Sequence, residues 1–386
     1  MEETVKETNQ ETANAPALPA KAAPPEGNMA AVASQWQLMW WKFRKNRLAV
    51  LGLIVGILFY LLPIFAEFVA PRGPQYLKPD YVYAPPQSIH FFSEGRFQPF
   101  VYALKFERDP RSLKKVWVLD KETKVPVGLF VKGDPYKLLG FIPTDRHLFG
   151  PIDKEQPFYL MGADKNGRDL FSRIIYAARI SLTVGLVSVF LQLLIGVIIG
   201  GISGLFGGFI DVVIQRVIEI INSIPQLPIM MAFAAIVPPG TSSVQVYMIV
   251  TLILALLTWT GMARVVRGRF LALREEDFIL AAKLDGVRPS RLIVKHMLPS
   301  FLSHIIASIT IAIPYMILSE TALSFLGVGL RPPTVSWGVM LRDAQQIATL
   351  ANYPWLLWPA AAVIVFVIAM NFLGNGLRDA ADPYAN

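Results

Sequence analysis

The chain has 386 residues, 54 % hydrophobic and only 17 % charged, with a formal net charge of +8 and no cysteine. Soluble domains carry about 25 % charged residues, so this composition, with a mean hydropathy of +0.46, excludes an ordinary soluble domain and indicates several membrane crossings. The missing cysteines exclude disulfides, thiolate catalysis and cysteine-ligated metals. The basic excess fits lysines and arginines gathered on the cytoplasmic side of a membrane, not nucleic-acid binding.

Residues 1–35 are rich in Glu, Thr, Ala and Pro and nearly free of bulky apolar side chains. Such a segment cannot bury enough surface to offset its ordering entropy, so it is expected to be a disordered tail. It has no apolar core before a cleavage site and is not a signal peptide. The stretch 36–71 opens with "WQLMWWKFRKNR", whose tryptophans and basic residues mark the cytoplasmic edge of a first span at about 48–70.

Five more spans are expected at about 180–206, 213–238, 244–262, 301–326 and 354–374. Orientation follows from charge. The turn 239–246 has no charged residue, whereas 264–295 has eight basic residues against four acids. The second segment therefore belongs inside the cell, and an even number of spans puts both termini there too. The expected fold is an all-α membrane protein of six transmembrane helices.

Between the first two spans, 72–165 is polar and long enough to cross the membrane whatever its charge. "KKVWVLDKETKVPVGLFVKGD" alternates apolar and polar residues around a charged turn, which predicts a hairpin of strands near 115–119 and 125–131. A small β-rich extracytoplasmic insertion over about 75–160 is expected, followed by an interfacial helix with Leu170, Phe171, Ile174, Ile175 and Ala178 on one face.

The most informative stretch is 278–299, "FILAAKLDGVRPSRLIVKHMLP", a polar, arginine-rich segment between two apolar runs. Gly286 reads as a left-handed helix stop and Pro289 as the opening of a second short helix ending at Pro299. A helix–turn–helix lying under the membrane results, with Ala281 and Ala282 small enough to let another surface approach. A merely solvated connection would not need this much helix-forming sequence.

Polar residues inside a bilayer are functional hypotheses by default. Arg216 and Glu219 lie three apart on one helical face and are expected to pair locally. Glu320 is expected to hold the fifth span to backbone or to an arginine such as Arg331. Asn222, Ser223 and Pro225 interrupt the third span where it could line a pathway. "GADKNGRD" at 162–169 has the glycine spacing of a phosphate loop but lacks its Lys and Ser/Thr, so no nucleotide-binding motif is present. His90, His147, His296 and His304 form no zinc-protease pair, and no G-x-S-x-G occurs.

The pattern A-A-x-x-x-G-x(11)-L-P at 281–299, with "LSETALSFLGVGLRPPTVSWGVML" and "NFLGNGLRDAADP" downstream and "GADKNGRDLFSRIIYAARISL" and "VIEIINSIPQLP" upstream, resembles the permeases of ATP-binding-cassette importers. The likeness is to the second permease subunit of the oligopeptide, dipeptide and nickel family, and covers the first span and about 160–386. It implies a type I importer permease fold over 166–377 and a short cytoplasmic tail over 378–386. Within that fold, a cytoplasmic loop at 264–300 docks into a groove on an ATPase subunit through Ala281, Ala282, Gly286, Leu298 and Pro299. The sequence departs from the family at Leu280, usually Glu, at His296, usually Ile, and at Asn375, usually acidic.

The resemblance further implies a homologous second permease, two ATP-binding subunits that hold ATP and magnesium, and a substrate-binding protein on the outer face. This chain would itself bind no cofactor, metal or nucleic acid and catalyse nothing. The cargo implied is peptide, with nickel or another small solute as the alternative, in a bacterial inner membrane. An ion-coupled carrier would instead want midplane charges and inverted repeats, and neither is visible. The insertion is expected to help dock the binding protein or to cap the pathway.

Overall fold

The structure, a computed structural model, describes residues 35–108, 115–238 and 240–381. The expected tail at 1–35 and the last five residues, 382–386, lie outside the described residues apart from Gln35, which opens the first helix. Helix α1 (Gln35–Lys45) leads through Asn46 into α2 (Arg47–Ile64) and the single turn α3 (Ala66–Val69). Asn46 caps α2 by accepting the Ala49 N–H at 3.1 Å, as short polar side chains do at helix starts.

After the sheet come α4 (Leu170–Phe206), α5 (Gly208–Ser223), α6 (Gln226–Ala235), α7 (Ser243–Leu273), α8 (Asp277–Leu284), α9 (Leu302–Phe325), α10 (Trp337–Leu341) and α11 (Trp358–Ala381). Among the described residues five helices are long and apolar enough to cross a membrane, and the pair α5–α6, bent by 82°, makes a sixth crossing if counted as one span. The third expected span is thus two helices with an 82° bend between them. The break falls at Ile224 and Pro225, where proline lacks an N–H to continue α5.

Three expectations need correction. The interfacial helix and the second span are one 37-residue helix, α4, because nothing between Leu170 and Phe206 breaks it. At 1.5 Å per residue it is about 55 Å long, far more than a hydrocarbon core of about 30 Å, so its arginine-bearing first turns stand outside the membrane. Similarly, α7 is 31 residues long and carries Arg264, Arg267 and Arg269 on a continuous helix, where a loop was expected. The last long helix, α11, ends at Ala381.

The third correction concerns the insertion. A four-stranded sheet has the order β1 (His90–Ser93), β2 (Arg96–Arg108), β3 (Lys115–Leu138) and β4 (Ile142–Pro151), each antiparallel to the next. The two strands expected near 115–119 and 125–131 are one strand, β3. The charged residues read as their turn form a bulge, since Ala103 pairs with Asp120 but Tyr102 pairs with Lys124. Alternation looks the same on either side of a bulge and a turn, so sequence periodicity could not separate them.

The helical core is built on close approach. Parallel helices α4 and α7 meet along Gly196, Gly200 and Gly204, four residues apart. A Cβ on Gly200 would lie 2.4 Å from the Ala263 carbonyl oxygen, and one on Gly204 would lie 2.6 Å from Phe270 Cβ. Small residues at this spacing let two backbones touch, the packing device of membrane helices. Further along the seam, Ser188 Oγ donates to the Thr251 carbonyl and Gln192 Nε2 to the Thr258 carbonyl. The main apolar core joins α2, α4, α7, α9 and α11 around Trp337 and Phe366.

Candidate functional site

The end of the molecule opposite the sheet is where the sequence concentrates its unusual residues. There α8 stops as its sequence predicts. Gly286 adopts φ +72°, the Val287 N–H donates to the Ala282 carbonyl at 3.1 Å, and the Gly286 N–H donates to the Lys283 carbonyl at 3.0 Å. These two bonds satisfy carbonyls that a helix end leaves orphaned. A Cβ on Gly286 would meet nothing within 4 Å, so glycine is required by the backbone conformation and not by crowding. The chain then returns through Pro289–Arg291, a π-turn at Leu292–Met297, and Leu298–Ser300.

A second apolar core binds this helical hairpin to the long helices. Ile279, Ala282, Leu292 and Met297 are buried with Met262, Val266 and Phe270 of α7 and with Phe301 and Ile305. Phe270 and Phe301 meet edge to face at 5.6 Å. Ala282 therefore faces its own chain and is not free to admit another surface, contrary to the sequence reading; its small side chain lets α8 lie close on this core. Ala281 is exposed, and so are Phe278, Leu280 and above all Leu284, at 88 %. Leu298 is half-buried against the same core and Pro299 is exposed. The outward face of α8 is thus apolar, while its inward face is locked.

One strong contact here escaped the sequence. Asp211, in the first turn of α5, accepts from Arg267 Nε at 2.5 Å and Nη2 at 2.6 Å, and also from Ser203 Oγ. This two-pronged pair ties the start of α5 to α7. The partners are 56 residues apart, and no local pattern announces them.

The bent pair α5–α6 carries the candidate pathway residues. Arg216 Nη1 donates to Glu219 at 2.6 Å, with both side chains largely exposed, at 72 % and 53 %. Asn222 accepts from Thr260 at 3.0 Å, and Ser223 donates to the Ile220 carbonyl at 2.7 Å. Just past the break, Tyr315 donates to Gln226. These groups share the α5–α6 region, whereas Glu320 stands apart.

Glu320 is fully buried and bound by hydroxyls, not by backbone or Arg331 as expected. Ser324 donates to it at 2.7 Å, Ser336 at 3.0 Å and Ser181 at 3.3 Å. Those serines in turn receive the N–H groups of Leu330, Val339 and Trp337. The carboxyl is the centre of a polar knot joining α4, α9 and α10, and such buried groups persist where they are fully hydrogen-bonded. Among the described residues, no group of three or more His, Cys, Asp or Glu side chains could hold a metal ion.

On the sheet side, "GADKNGRD" forms a tight turn. Asp164 accepts from the Asn166 and Arg168 backbone N–H groups and from Arg168 Nε, and Asp169 caps α4 by accepting the Ser172 N–H at 2.8 Å. The resemblance to a phosphate loop is spacing alone. Burial pushes the Asp169 carboxyl up to about 6, with the Ser172 bonds pulling the other way.

Long apolar helices, one pair of them sharply bent, define a multi-pass membrane protein with a helical hairpin packed against one end. Comparison with known proteins makes that class specific. Residues 196–385 match the family described as binding-protein-dependent transport system inner membrane component, and residues 34–86 match the N-terminal TM domain of oligopeptide transport permease C. The chain is 34 % identical, over 354 residues and 92 % of each chain, to the dipeptide transport system permease protein DppC of Lactococcus lactis subsp. cremoris. It is 31 % identical to the oligopeptide transport system permease protein OppC of Bacillus subtilis, over 91 % of this chain and 90 % of that one. Against Bacillus subtilis DppC it is 40 % identical, over 58 % of this chain and 68 % of the other. The chain belongs to this family: it is a multi-pass membrane protein, the permease subunit of a binding-protein-dependent importer.

Proposed function

We propose that this permease carries peptides inward as one half of a heterodimeric pathway, driven by two ATPase subunits that bind ATP and magnesium. A substrate-binding protein delivers the cargo on the sheet side. The relatives named for dipeptide and oligopeptide transport support the cargo. The basic end of the molecule and both termini face the cytoplasm, as its arginines favour. Helix α5 supports the need for a second permease, since it buries only Ile218 while Phe209, Val212 and Ile220 stay exposed.

The observation that carries the mechanism is the two-faced α8. Its exposed residues, Phe278, Leu280, Ala281 and Leu284, form the surface that an ATPase groove would hold, with Gly286, Leu298 and Pro299 setting the shape of the turn. Its buried residues, Ile279 and Ala282, pass any displacement into α7 and the end of α4. The chain needs rigid packing here and no catalytic group.

The test is Leu284→Asp in the reconstituted complex with both ATPases, assayed for ATP-dependent uptake of labelled di- and oligopeptides and of nickel. Loss of uptake with normal membrane insertion and permease pairing is expected. Normal uptake by the variant would refute the coupling role. Transport of nickel without peptide would refute the cargo.

A further inference from the structure

The sheet has a feature that no coupling or pathway role uses. Strand β2 pairs with β3 only as far as Pro126. Beyond it, β3 and β4 continue alone as a two-stranded ribbon from Val127 and Pro151 to Leu138 and Ile142. Isolated two-stranded ribbons are marginal in water. The ribbon ends in the turn "LLGFI" at 138–142, where Leu139 is 47 % exposed, Phe141 70 % and Ile142 45 %. Hairpin turns of this kind, with two successive positive φ angles, favour Asn-Gly or Asp-Gly. Here the first position is a leucine at φ +53° followed by Gly140 at φ +85°. An apolar side chain occupies the place where water would select a polar one.

Two lines of contacts give the direction of this ribbon. Along the segment leaving α2, Gly150 lies by Pro71, His147 Nδ1 is 2.8 Å from the Ala70 carbonyl, Phe130 packs on Phe68 at 6.1 Å, and Tyr136 feels the charge of Glu67. Along α4, Phe149 meets Phe171 at 5.4 Å, and Tyr136 lies within electrostatic reach of Tyr176. As far as Tyr136 the ribbon therefore follows α3 backward and the start of α4 forward, in both cases toward the membrane.

The end of α2 marks the boundary: Arg179 of α4 binds the Glu67 carboxylate at 2.8 Å and the Pro63 carbonyl at 2.7 Å. The tip reaches about 10 Å past Tyr136 at the rise of a strand. On the membrane side of that boundary the last turns of α2 expose Leu58, Leu61 and Ile64, at 50 %, 46 % and 47 %.

We propose that the β3–β4 ribbon is a lipid anchor, with Leu139, Phe141 and Ile142 seated among the headgroups and upper acyl chains of the leaflet on the sheet's side. The exposed apolar surface of α2, a helix long and apolar enough to cross a bilayer, continues through Phe65 and Phe68 to Phe130, so acyl chains against α2 would also meet the tip. The turn is fit for a poorly hydrated site because its backbone is satisfied internally: the Gly140 N–H donates to the Lys137 carbonyl and the Phe141 N–H to that of Leu138. The open edges of a two-stranded ribbon forbid deeper burial, since unpaired backbone is not tolerated in hydrocarbon. Lys137, exposed near the tip, is placed for a lipid phosphate, whereas Lys132 pairs with Asp145 at 3.4 Å and Arg146 donates to the Phe130 carbonyl at 3.0 Å.

The absence of native cysteine gives a clean test. Phe141→Cys, Ile142→Cys and, at the far end of β3, Val116→Cys are each labelled with an NBD fluorophore. The full chain is then reconstituted into phosphatidylethanolamine–phosphatidylglycerol vesicles, with and without nitroxide-bearing lipids. The 141 and 142 labels should emit to the blue of the 116 label, resist iodide and be quenched by nitroxides near the glycerol level. Iodide quenching equal to that at 116 would place the tip in water and overturn the anchor. Protection from both iodide and nitroxide would place it against protein and overturn it equally.

Discussion

The two ends of this molecule are joined by different physics. At the basic end, α4, α7, α8 and the returning arm are held by backbone contact along glycines and by a continuous apolar core. At the sheet end, cations hold the elements through backbone oxygens: Arg72 donates to the Lys154 and Gln156 carbonyls, Arg173 to that of Pro74 and Arg179 to that of Pro63. Close packing resists deformation in every direction, whereas single directed bonds to loops fix position but yield more readily. The sheet end is closely packed in places too, since a Cβ on Gly162 would lie 2.6 Å from Trp355, but directed arginine bonds join its separate segments.

The contrast can be broken most severely at the helix seam. Gly200→Leu would drive a side chain into the Ala263 carbonyl, and no rotamer relieves a backbone clash. We expect no stable protein after detergent extraction, judged by size-exclusion chromatography, whereas Gly73→Leu, with nothing within 4 Å of its Cβ, should behave as wild type. Next comes the α5–α7 tie. Arg267→Gln leaves a partly buried carboxylate with Ser203 Oγ as its remaining donor and should cost about 3 kcal/mol. Thermal unfolding of the two single variants and of Asp211→Asn/Arg267→Gln should show strong non-additivity, and simple addition would mean that the pair does not couple the helices.

At the sheet end the expected effect depends on pH. The Asp169 carboxyl is raised from 3.8 to about 6 by burial, so the folded state holds a proton that the unfolded chain gives up near pH 4. The cost of the buried charge is absent below about pH 4, grows between 4 and 6, and is complete above 6, amounting to about 2–3 kcal/mol. Asp169→Asn keeps an acceptor for the Ser172 N–H and removes the charge. Its unfolding temperature should therefore rise relative to wild type as pH increases from 4 to 7, and a constant difference would show that the carboxylate is not strained. The smallest effect is Gly286→Ala, where a Cβ at positive φ costs about 1–2 kcal/mol without any clash. Partial loss of ATP-dependent uptake with unchanged insertion is the expected result, and Gly286→Asn should recover much of it, because Asn tolerates this conformation.

How far the sequence could be read follows the range of each interaction. The spans were legible because hydropathy is summed over about twenty residues, and the stop at Gly286 and restart at Pro289 because caps are local. The break at Pro225 was visible for the same reason. What failed was long-range or two-valued. Ser181 lies 139 residues from Glu320, so the serine knot had no local signature, and Arg267 gave no hint of Asp211. The face that Ala282 presents could not be set by an eight-residue helix with apolar residues on both sides. Lengths of α4 and α7 were underestimated because arginines were taken to end a helix, although a helix can leave the bilayer and continue in water.

The glycine seam has a mechanical result. With no side chain on α4 at three successive turns, α4 and α7 cannot slide past each other without colliding, and cannot part without opening an empty gap. They form one strut, joined from Ser188 and Thr251 to Gly204 and Phe270. A push on α8 would tilt that strut as a body, and the flex it demands would fall on the jointed pair α5–α6 beside it.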